Sequence, residues 1–545
     1  MYNYHAMANL VSVNKKFTGA SLLVDTLVKL GVDSVFGYPG AAVLSIYNEL
    51  AKTQSIKHYL VRHEQAAVHA AEGYSRVSGK VGVVLVTSGP GFTNTITGIA
   101  NANADSTPLV VLAGDVSTVN RQGKVFQNVD ILSLTKSCAK KCFMLSKNDE
   151  IENVIEEAFQ VANSGIKGPV VVALPRNLLE AEYSKIEKSK PAQTHQVPNL
   201  RHEVLKIAEM IREAQNPLVL IGGGCVNVAK EIEQFISQIQ CPVVSTLMGI
   251  GGYPSENNLY LGMIGLNGTL PANSAINQCD LLITMGVGFS NRSTCCKNSE
   301  FAPNAKIVNI NIDKNTQCGE YSVCADVRDF LEEFQKLACG FEPKERWLVQ
   351  VDALKDELVV PEDFSEYLHS SYVLETVSEY TKYYEPVVVT DVGQHQMLTA
   401  QFFNFNKPRK FITSGGLGTM GFGLPAAIGA HIANPKNLVL NITGDGSFQM
   451  NLQELATCRE HNIPVKVIIM NNSYLGMVRQ MQEKIYHKMY QVEMINPDFT
   501  KIAEAYDLFA IRVRKKEELI PALEKAINHN GTAIIDVVID SFENI

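Results

Sequence analysis

Residues 438–472 read LVLNITGDGSFQMNLQELATCREHNIPVKVIIMNN. Two short aliphatic runs, 438–443 and 465–470, flank one helix-length segment. That pattern predicts two parallel strands joined by a crossover helix. The first run leads into Gly444-Asp445-Gly446 and the second ends in Asn471-Asn472. If the strands are neighbours, both loops meet at the carboxyl edge of one sheet, where open α/β sheets bind ligands. Gly444 and Gly446 let the backbone approach a ligand closely. Asp445 and Asn472 offer two hard oxygens, and the backbone carbonyl of Tyr474 offers a third. Mg²⁺ takes oxygen ligands and commonly combines a few protein groups with phosphates, so the set predicts a metal-bridged diphosphate. An Asp-Gly turn and an Asn helix cap would explain either motif alone, but not both at successive strand ends.

The same rhythm runs through the whole chain. VGVVLV (81–86), PLVVLAG (108–114), PVVVALP (169–175), PLVLIGGG (217–224), LLITMGVG (281–288), KIVNINI (306–312), PVVVTD (386–391) and AIIDVVI (533–539) all alternate with helix-length segments. Continuous apolar strands of this kind belong to parallel sheets covered on both faces. The polar stretches 181–200 and 340–365 read as linkers. The expectation is an α/β chain of three doubly wound parallel-sheet domains, at 15–180, 200–340 and 365–545.

Composition narrows the function. The 545 residues carry 48 basic and 56 acidic side chains, a net charge of −8, with no block of Lys and Arg. Nucleic acid and anionic membranes are therefore not expected partners. No apolar run reaches the ~20 residues of a membrane span, and the amino-terminal stretch does not read as a signal peptide. Eleven cysteines without a CxxC pair suggest a reducing, cytoplasmic setting.

Two further elements bear on chemistry. Ser414-Gly415-Gly416-Leu417-Gly418-Thr419-Met420-Gly421 follows a predicted strand and precedes a helix, so its backbone N–H groups are candidates for phosphate. Gly416, Gly418 and Gly421 also match the dinucleotide pattern GxGxxG. The acid after the next strand, however, is Asp445, already assigned to metal. In RHEQAAVHAAEGY (62–74), Glu64 opens the face shared by Ala67, Val68 and Ala71. A first-turn Glu complementing the helix dipole is the plain reading. A carboxylate on an apolar face needs a partner, and a protonated ligand nitrogen would serve.

At these residues the chain resembles the thiamine-diphosphate-dependent enzymes, and most closely the catalytic subunits of acetolactate synthase. GYPGAAV, VTSGPGFTNTITGIA, STLMGIGGYP, DVGQHQM, TSGGLGTMGFGLPAAIGA, GDGSFQMNLQEL and PVKVIIMNNSYLGMVRQ carry the resemblance in order across roughly residues 18–515. It implies a pyrimidine-binding, a central and a diphosphate-binding domain. Glu64 would hydrogen-bond N1′ of the aminopyrimidine. Asp445, Asn472 and the Tyr474 carbonyl would hold Mg²⁺. Gly393, Gln394, His395, Gly418, Met420, Gly444, Gly446, Ser447, Gly476, Met477 and Val478 would contact the coenzyme. Phe126, Gln127, Gly40 and Ala41 would face the reacting carbonyls. The implied reaction decarboxylates pyruvate and adds the acetyl unit to a second 2-oxo acid, giving 2-acetolactate in branched-chain amino-acid synthesis or a related pathway. Two domains from different chains would share each coenzyme. A homodimer or homotetramer is therefore expected, and a small regulatory subunit is a candidate partner.

The chain also departs from the family pattern. Met481 stands where the family has Trp, which shapes the acceptor pocket. Gly286-Val287-Gly288-Phe289-Ser290-Asn291-Arg292 replaces GVRFDDR beside the FAD of biosynthetic members. Asn267 replaces a usual His, Asn128 a Glu, Arg176 a Lys and Ser117 a Pro. The family's proline-rich tail is missing after SFENI. Gly223, Gly224 and Arg292 still suit a flavin, so FAD remains a candidate cofactor. A carboligase with another acceptor, such as a keto-sugar nucleotide, is the alternative activity. A nicotinamide dehydrogenase and a non-catalytic regulatory subunit are the rival classes.

Overall fold

A computed structural model of the chain describes residues 17–120, 124–146, 151–183, 198–294, 301–316, 319–337, 340–356 and 368–545. Three six-stranded sheets follow one another along it, in strand orders that require crossovers. The first runs Lys57–Leu60, Ser34–Tyr38, Gly82–Val86, Leu109–Asp115, Pro169–Pro175, Lys141–Met144. The second runs Tyr260–Met263, Val243–Ser245, Pro217–Ile221, Leu281–Met285, Lys306–Asn311, Tyr321–Cys324. The third runs Phe411–Ile412, Val387–Thr390, Val439–Gly444, Lys466–Asn471, Ala533–Val538, Phe509–Val513. All pairings within the three are parallel. Each sheet lies between two separate apolar clusters. Burial on both faces is what made the central strands read as unbroken aliphatic runs.

Every run named from the sequence is a strand. Lys141–Met144, Tyr321–Cys324 and Phe509–Val513 escaped that reading. They are edge strands and only partly buried. The charged stretch 340–365 is not simply a linker. It contains the helix Glu345–Asp356, whose Trp347 is buried and donates its indole N–H to the Pro217 carbonyl at 2.9 Å. Residues 357–367, most of the 181–200 stretch and the amino-terminal segment lie outside the described residues.

The helices Glu64–Ser78 and Gly423–Ala433 cross between the first and third sheets. Their contact faces are built from alanine and glycine. A Cβ on Gly73 would overlap the Ala426 carbonyl oxygen, and one on Gly429 would overlap the Ala70 carbonyl oxygen. Backbone thus touches backbone, and neither position has room for a side chain. Fully buried His69 and Glu72 sit at this crossing and pair through Nδ1 and Oε1 at 2.9 Å. Asn101 Nδ2 donates to the other Glu72 oxygen at 2.8 Å, and Ser414 Oγ donates to Asn101 Oδ1. The crossing therefore holds the 414–421 loop as well as the two helices.

Replacing Gly429 with Val forces a branched side chain against a carbonyl that cannot retreat without moving a helix. Overpacking of this severity is expected to lower stability by about 3 kcal/mol. Thermal unfolding checks it, and a wild-type melting temperature would contradict the backbone contact.

Candidate active site

In the third sheet, Val439–Gly444 pairs directly with Lys466–Asn471, with Gly444 opposite Met470. Asp445 and Asn472 therefore leave the sheet side by side at its carboxyl edge. The chain turns to one side of Val439–Gly444 before that strand and to the other side after it. Such a switch point opens a crevice. A cavity of about 110 Å³ lies there. Gly393, Gln394, His395, Met420, Gly444, Asp445, Gly446, Ser447, Asn472, Tyr474, Gly476, Met477 and Val478, all picked from the sequence, line it. Gly418 does not; its missing Cβ would lie 3.6 Å from Arg292 Nη1. Ser370, Asp540 and Glu543 line the cavity too and were not foreseen. They come from distant segments with no motif to mark them.

Asp445 is almost fully buried. Its carboxylate accepts from Gly446 N at 2.9 Å, Ser473 N at 2.7 Å and Asn496 Nδ2 at 2.6 Å. All three donors are neutral. Burial pushes the Asp445 pKa up to about 6, partly offset by these donors. Ser473, which gives one of them, holds a left-handed φ of 59°, a strained conformation of the kind found at ligand sites. Asn496 also donates to Asn471 Oδ1 at 3.0 Å, tying both strand-end loops together. Sequence reasoning missed Asn496 because its role arises only from that long-range contact.

The donor set fits Mg²⁺ and a diphosphate. A buried carboxylate without a cationic partner is costly, and a cation would complete it. Among the described residues no three His, Cys, Asp or Glu side chains converge as a metal cage. One carboxylate, an amide oxygen and a carbonyl match a hard ion that keeps phosphate ligands. His395 is buried and its Nε2 has no partner. Burial holds its imidazole neutral, with a pKa of about 3. An anion beside it would favour the charged ring and make Nε2 a donor. Missing side chains create the cradle. A Cβ on Gly444 would approach the His395 ring to 3.0 Å, and one on Gly476 would overlap Gln394 Oε1.

The 414–421 loop behaves differently from the expectation of free phosphate-binding amides. Gly415 N and Gly416 N donate to the Asp105 carboxylate at 3.1 and 2.6 Å. Gly421 N and Gly423 N donate to Asp391, each at 2.9 Å. Thr419 N donates to Ser414 Oγ. Two aspartates occupy the amides that a glycine-rich pattern alone would assign to phosphate. The loop's contribution to the cavity is the Met420 side of the wall.

Glu64 lies elsewhere, at the carboxyl edge of the first sheet. Asn94 Nδ2 donates to its Oε2 at 2.9 Å. Its Oε1 borders Gly91, whose missing Cβ would lie 3.5 Å away. Gly40 abuts Thr87, and Gly89 abuts Gln127. Gln127 takes a φ of 60° and accepts from Ser88 Oγ at 3.2 Å. Phe126 is 86% exposed. The sequence-picked residues of the first domain thus gather at one edge. No residue of that domain lines the cavity around Asp445. Met481 also stands outside the cavity lining. It is 54% exposed on the helix Gly476–Tyr486, in an apolar stripe with Val478 and Ile485.

A second cavity of about 850 Å³ opens where the three domains meet. Gly223, Gly224 and Arg292, the residues picked for a flavin, line it together with Arg76, Lys167, Arg328 and Arg409. Its size falls within the range of organic-ligand pockets, and its cations suit a dinucleotide's diphosphate. Gly288, which replaces the family's Arg, has open space at its Cβ position.

Comparisons with known proteins place all three domains in one family. The family model for the N-terminal TPP binding domain of thiamine pyrophosphate enzymes matches residues 17–134. The central-domain model matches residues 204–334, and that of the C-terminal TPP binding domain matches 391–537. The acetolactate synthase large subunit of Haemophilus influenzae is 39% identical, over 97% of this chain and 96% of that protein. The acetolactate synthase isozyme 3 large subunit of Escherichia coli is 38% identical with the same coverage. Chloroplastic acetolactate synthase of Arabidopsis thaliana is 39% identical, over 97% of this chain and 82% of that protein.

Removing the Asn496 amide strips Asp445 of its shortest hydrogen bond. Asn496→Ala is expected to weaken Mg²⁺ binding about 10- to 100-fold, the usual effect of losing a group that orients a metal ligand. Titration with Mg²⁺ or Mn²⁺ in the presence of thiamine diphosphate measures it. Unchanged affinity would show that Asn496 does not orient Asp445 for the ion.

Proposed function

The chain belongs to the thiamine pyrophosphate enzymes, alongside the acetolactate synthase large subunits, and from that premise we propose that it is a carboligase forming 2-acetolactate from pyruvate. The observation that carries this reading is the buried Asp445, with only neutral donors, in a glycine cradle beside the unpartnered His395 nitrogen. Asp445, Asn472 and the Tyr474 carbonyl would hold Mg²⁺ against the diphosphate. His395, Gln394 and the Gly393 and Gly444 backbones would fix the phosphates. Bound thiamine diphosphate supplies a nucleophilic carbon and an electron sink.

The chain's own residues then bind, orient and hold protons. Glu64, oriented by Asn94, would hydrogen-bond the aminopyrimidine nitrogen and hold its proton. Gln127 and Gly40 would present polar backbone and side-chain groups to the substrate carbonyls. The donor acid loses its carboxylate as CO₂ and gains a C–C bond to the acceptor's keto carbon. The acceptor oxygen takes up a proton. Two pyruvates and one proton thus give one 2-acetolactate and one CO₂.

Glu64 and Asp445 of one chain do not share a cavity. The working unit would therefore be at least a homodimer, with Glu64 of one subunit serving the diphosphate held by the other. The exposed apolar residues on Gly476–Tyr486 and the exposed Phe126 support such a junction. The large-subunit names of the relatives suggest a smaller regulatory partner for this chain as well. FAD is proposed for the 850 Å³ cavity, in a structural role, because the reaction has no net redox step. Among the described residues no helix is long and apolar enough to cross a membrane. The described cysteines are free, which supports a cytoplasmic setting.

The exposed, flexible Met481 favours one alternative, a larger acceptor ketone in the same chemistry. Rapid 2-acetolactate formation from pyruvate alone supports the first reading. Slow formation that a keto-sugar nucleotide accelerates supports the second.

Glu64→Gln removes the proton-holding carboxyl with little change in shape. Turnover is expected to fall by at least about 100-fold, while thiamine diphosphate still binds. Steady-state kinetics with calorimetry check both halves, and near-normal turnover would contradict the role of Glu64. The purified protein is also expected to show flavin absorbance, and its absence would remove FAD from the account.

A further inference from the structure

One buried carboxylate has no part in the mechanism so far. Glu454 belongs to the same GDGSFQMNLQEL stretch as Asp445, in the third domain, and is fully buried. Its oxygens accept from Arg62 N at 2.9 and 3.2 Å, across the domain boundary. The His63 N–H also bonds to it. Arg62 and His63 are the two residues immediately before Glu64, which opens its helix with His63 as N-cap. The amides that begin a helix have no partner within it. Here a carboxylate from another domain holds the turn that presents the acid.

The surrounding contacts reinforce this grip. Thr457 Oγ1 donates to Glu454 Oε2 at 2.6 Å. Leu60 N donates to His461 Nε2 at 3.3 Å, and the His461 ring meets Tyr59 edge-on. Arg62 pairs with Glu460 at 2.6 Å. Residues 454–461 thus clasp the whole connection between the strand Lys57–Leu60 and the helix bearing Glu64. Burial pushes the Glu454 pKa up to about 7, against the pull of its donors and Arg62. A carboxylate kept in so unfavourable a place without touching the cavity implies a role through its neighbours.

We propose that Glu454 is a positioning residue for Glu64, and that through it the segment carrying Asp445 at one active site aims the acid that serves the other. The inference rests on the shared-site reading given above. Within one chain, Asp445 and Glu454 lie on one continuous stretch. Asp445 faces that chain's own diphosphate cavity. Glu454 holds the turn of an acid that works on the coenzyme held by the partner. A shift of the metal loop at one site would be felt as a shift of Glu64 at the other.

The test uses Glu454→Gln, which replaces one accepting oxygen with a donor facing backbone N–H groups. In the homodimer, kcat is expected to fall about 10- to 100-fold, as for loss of a group that orients a functional side chain. Calorimetric affinity for thiamine diphosphate, pyruvate KM and melting temperature should stay near wild type. A parallel loss of coenzyme affinity would overturn the proposal, because it would place the effect in Glu454's own domain. If the Gln variant does not fold, Glu454→Asp tests the same contact by retracting the carboxylate.

Hybrid dimers purified through two different tags decide the coupling. A hybrid of Glu64→Gln and Asp445→Asn chains has one intact site if sites are shared, and about half of wild-type activity is expected. An inactive hybrid would overturn the shared-site reading itself, and the coupling with it. A hybrid of Glu454→Gln and Asp445→Asn chains should match that control, because both lesions then fall in one site. Activity down at the level of the Glu454→Gln homodimer, with the control hybrid active, would overturn the coupling alone.

Discussion

The candidate site depends on a buried carboxylate that the protein by itself leaves short of positive charge. Asp445 receives three hydrogen bonds, all from neutral groups, and burial still drives its pKa upward. A hydrophobic residue would be cheaper at this position if packing were the only aim. The pairing of Val439–Gly444 with Lys466–Asn471, the strained Ser473, the Asn496 bridge and the absence of side chains at Gly444 and Gly446 all serve to keep that carboxylate exposed to one small cavity. A hard divalent ion with phosphate ligands would relieve the charge and give the rest of the cradle its purpose.

The two ends of the arrangement are held apart and yet mechanically linked. The crossing of Glu64–Ser78 over Gly423–Ala433 brings backbone against backbone. Arg76 reaches from that crossing to Asp105 at 2.7 Å and to the Thr413 carbonyl. Asp105 in turn takes the amides of Gly415 and Gly416. The first domain therefore shapes the loop that carries Met420 in the third, while residues 454–461 of the third shape the approach to Glu64 in the first. Each domain thus contacts the other's candidate functional edge through hydrogen bonds.

Much of this was legible in the sequence, for reasons that can be stated residue by residue. Most central strands buried on both faces announce themselves as aliphatic runs, although the interior strands Ser34–Tyr38 and Val243–Ser245 do not, and the paired GDG and NN motifs mark two adjacent strand ends. Edge strands such as Tyr321–Cys324 do not, because half their side chains meet water. The glycine pattern at 415–421 misled in detail: its amides are taken by Asp105 and Asp391, acids far away in sequence. Asn496, Ser370, Glu543 and Glu454 were illegible because their meaning lies only in partners that folding brings near. Trp347 hid in a charged stretch whose helix buries only a narrow face.

If Asp445 recruits a divalent ion to hold a diphosphate, coenzyme binding depends on that ion. The most direct measurement is equilibrium binding of thiamine diphosphate by calorimetry, with Mg²⁺ present and again after removal of divalent ions by a chelator. Binding that needs the ion, and returns when Mg²⁺ is restored, is the predicted result. Equally tight binding in the chelated protein would rule out that role for Asp445.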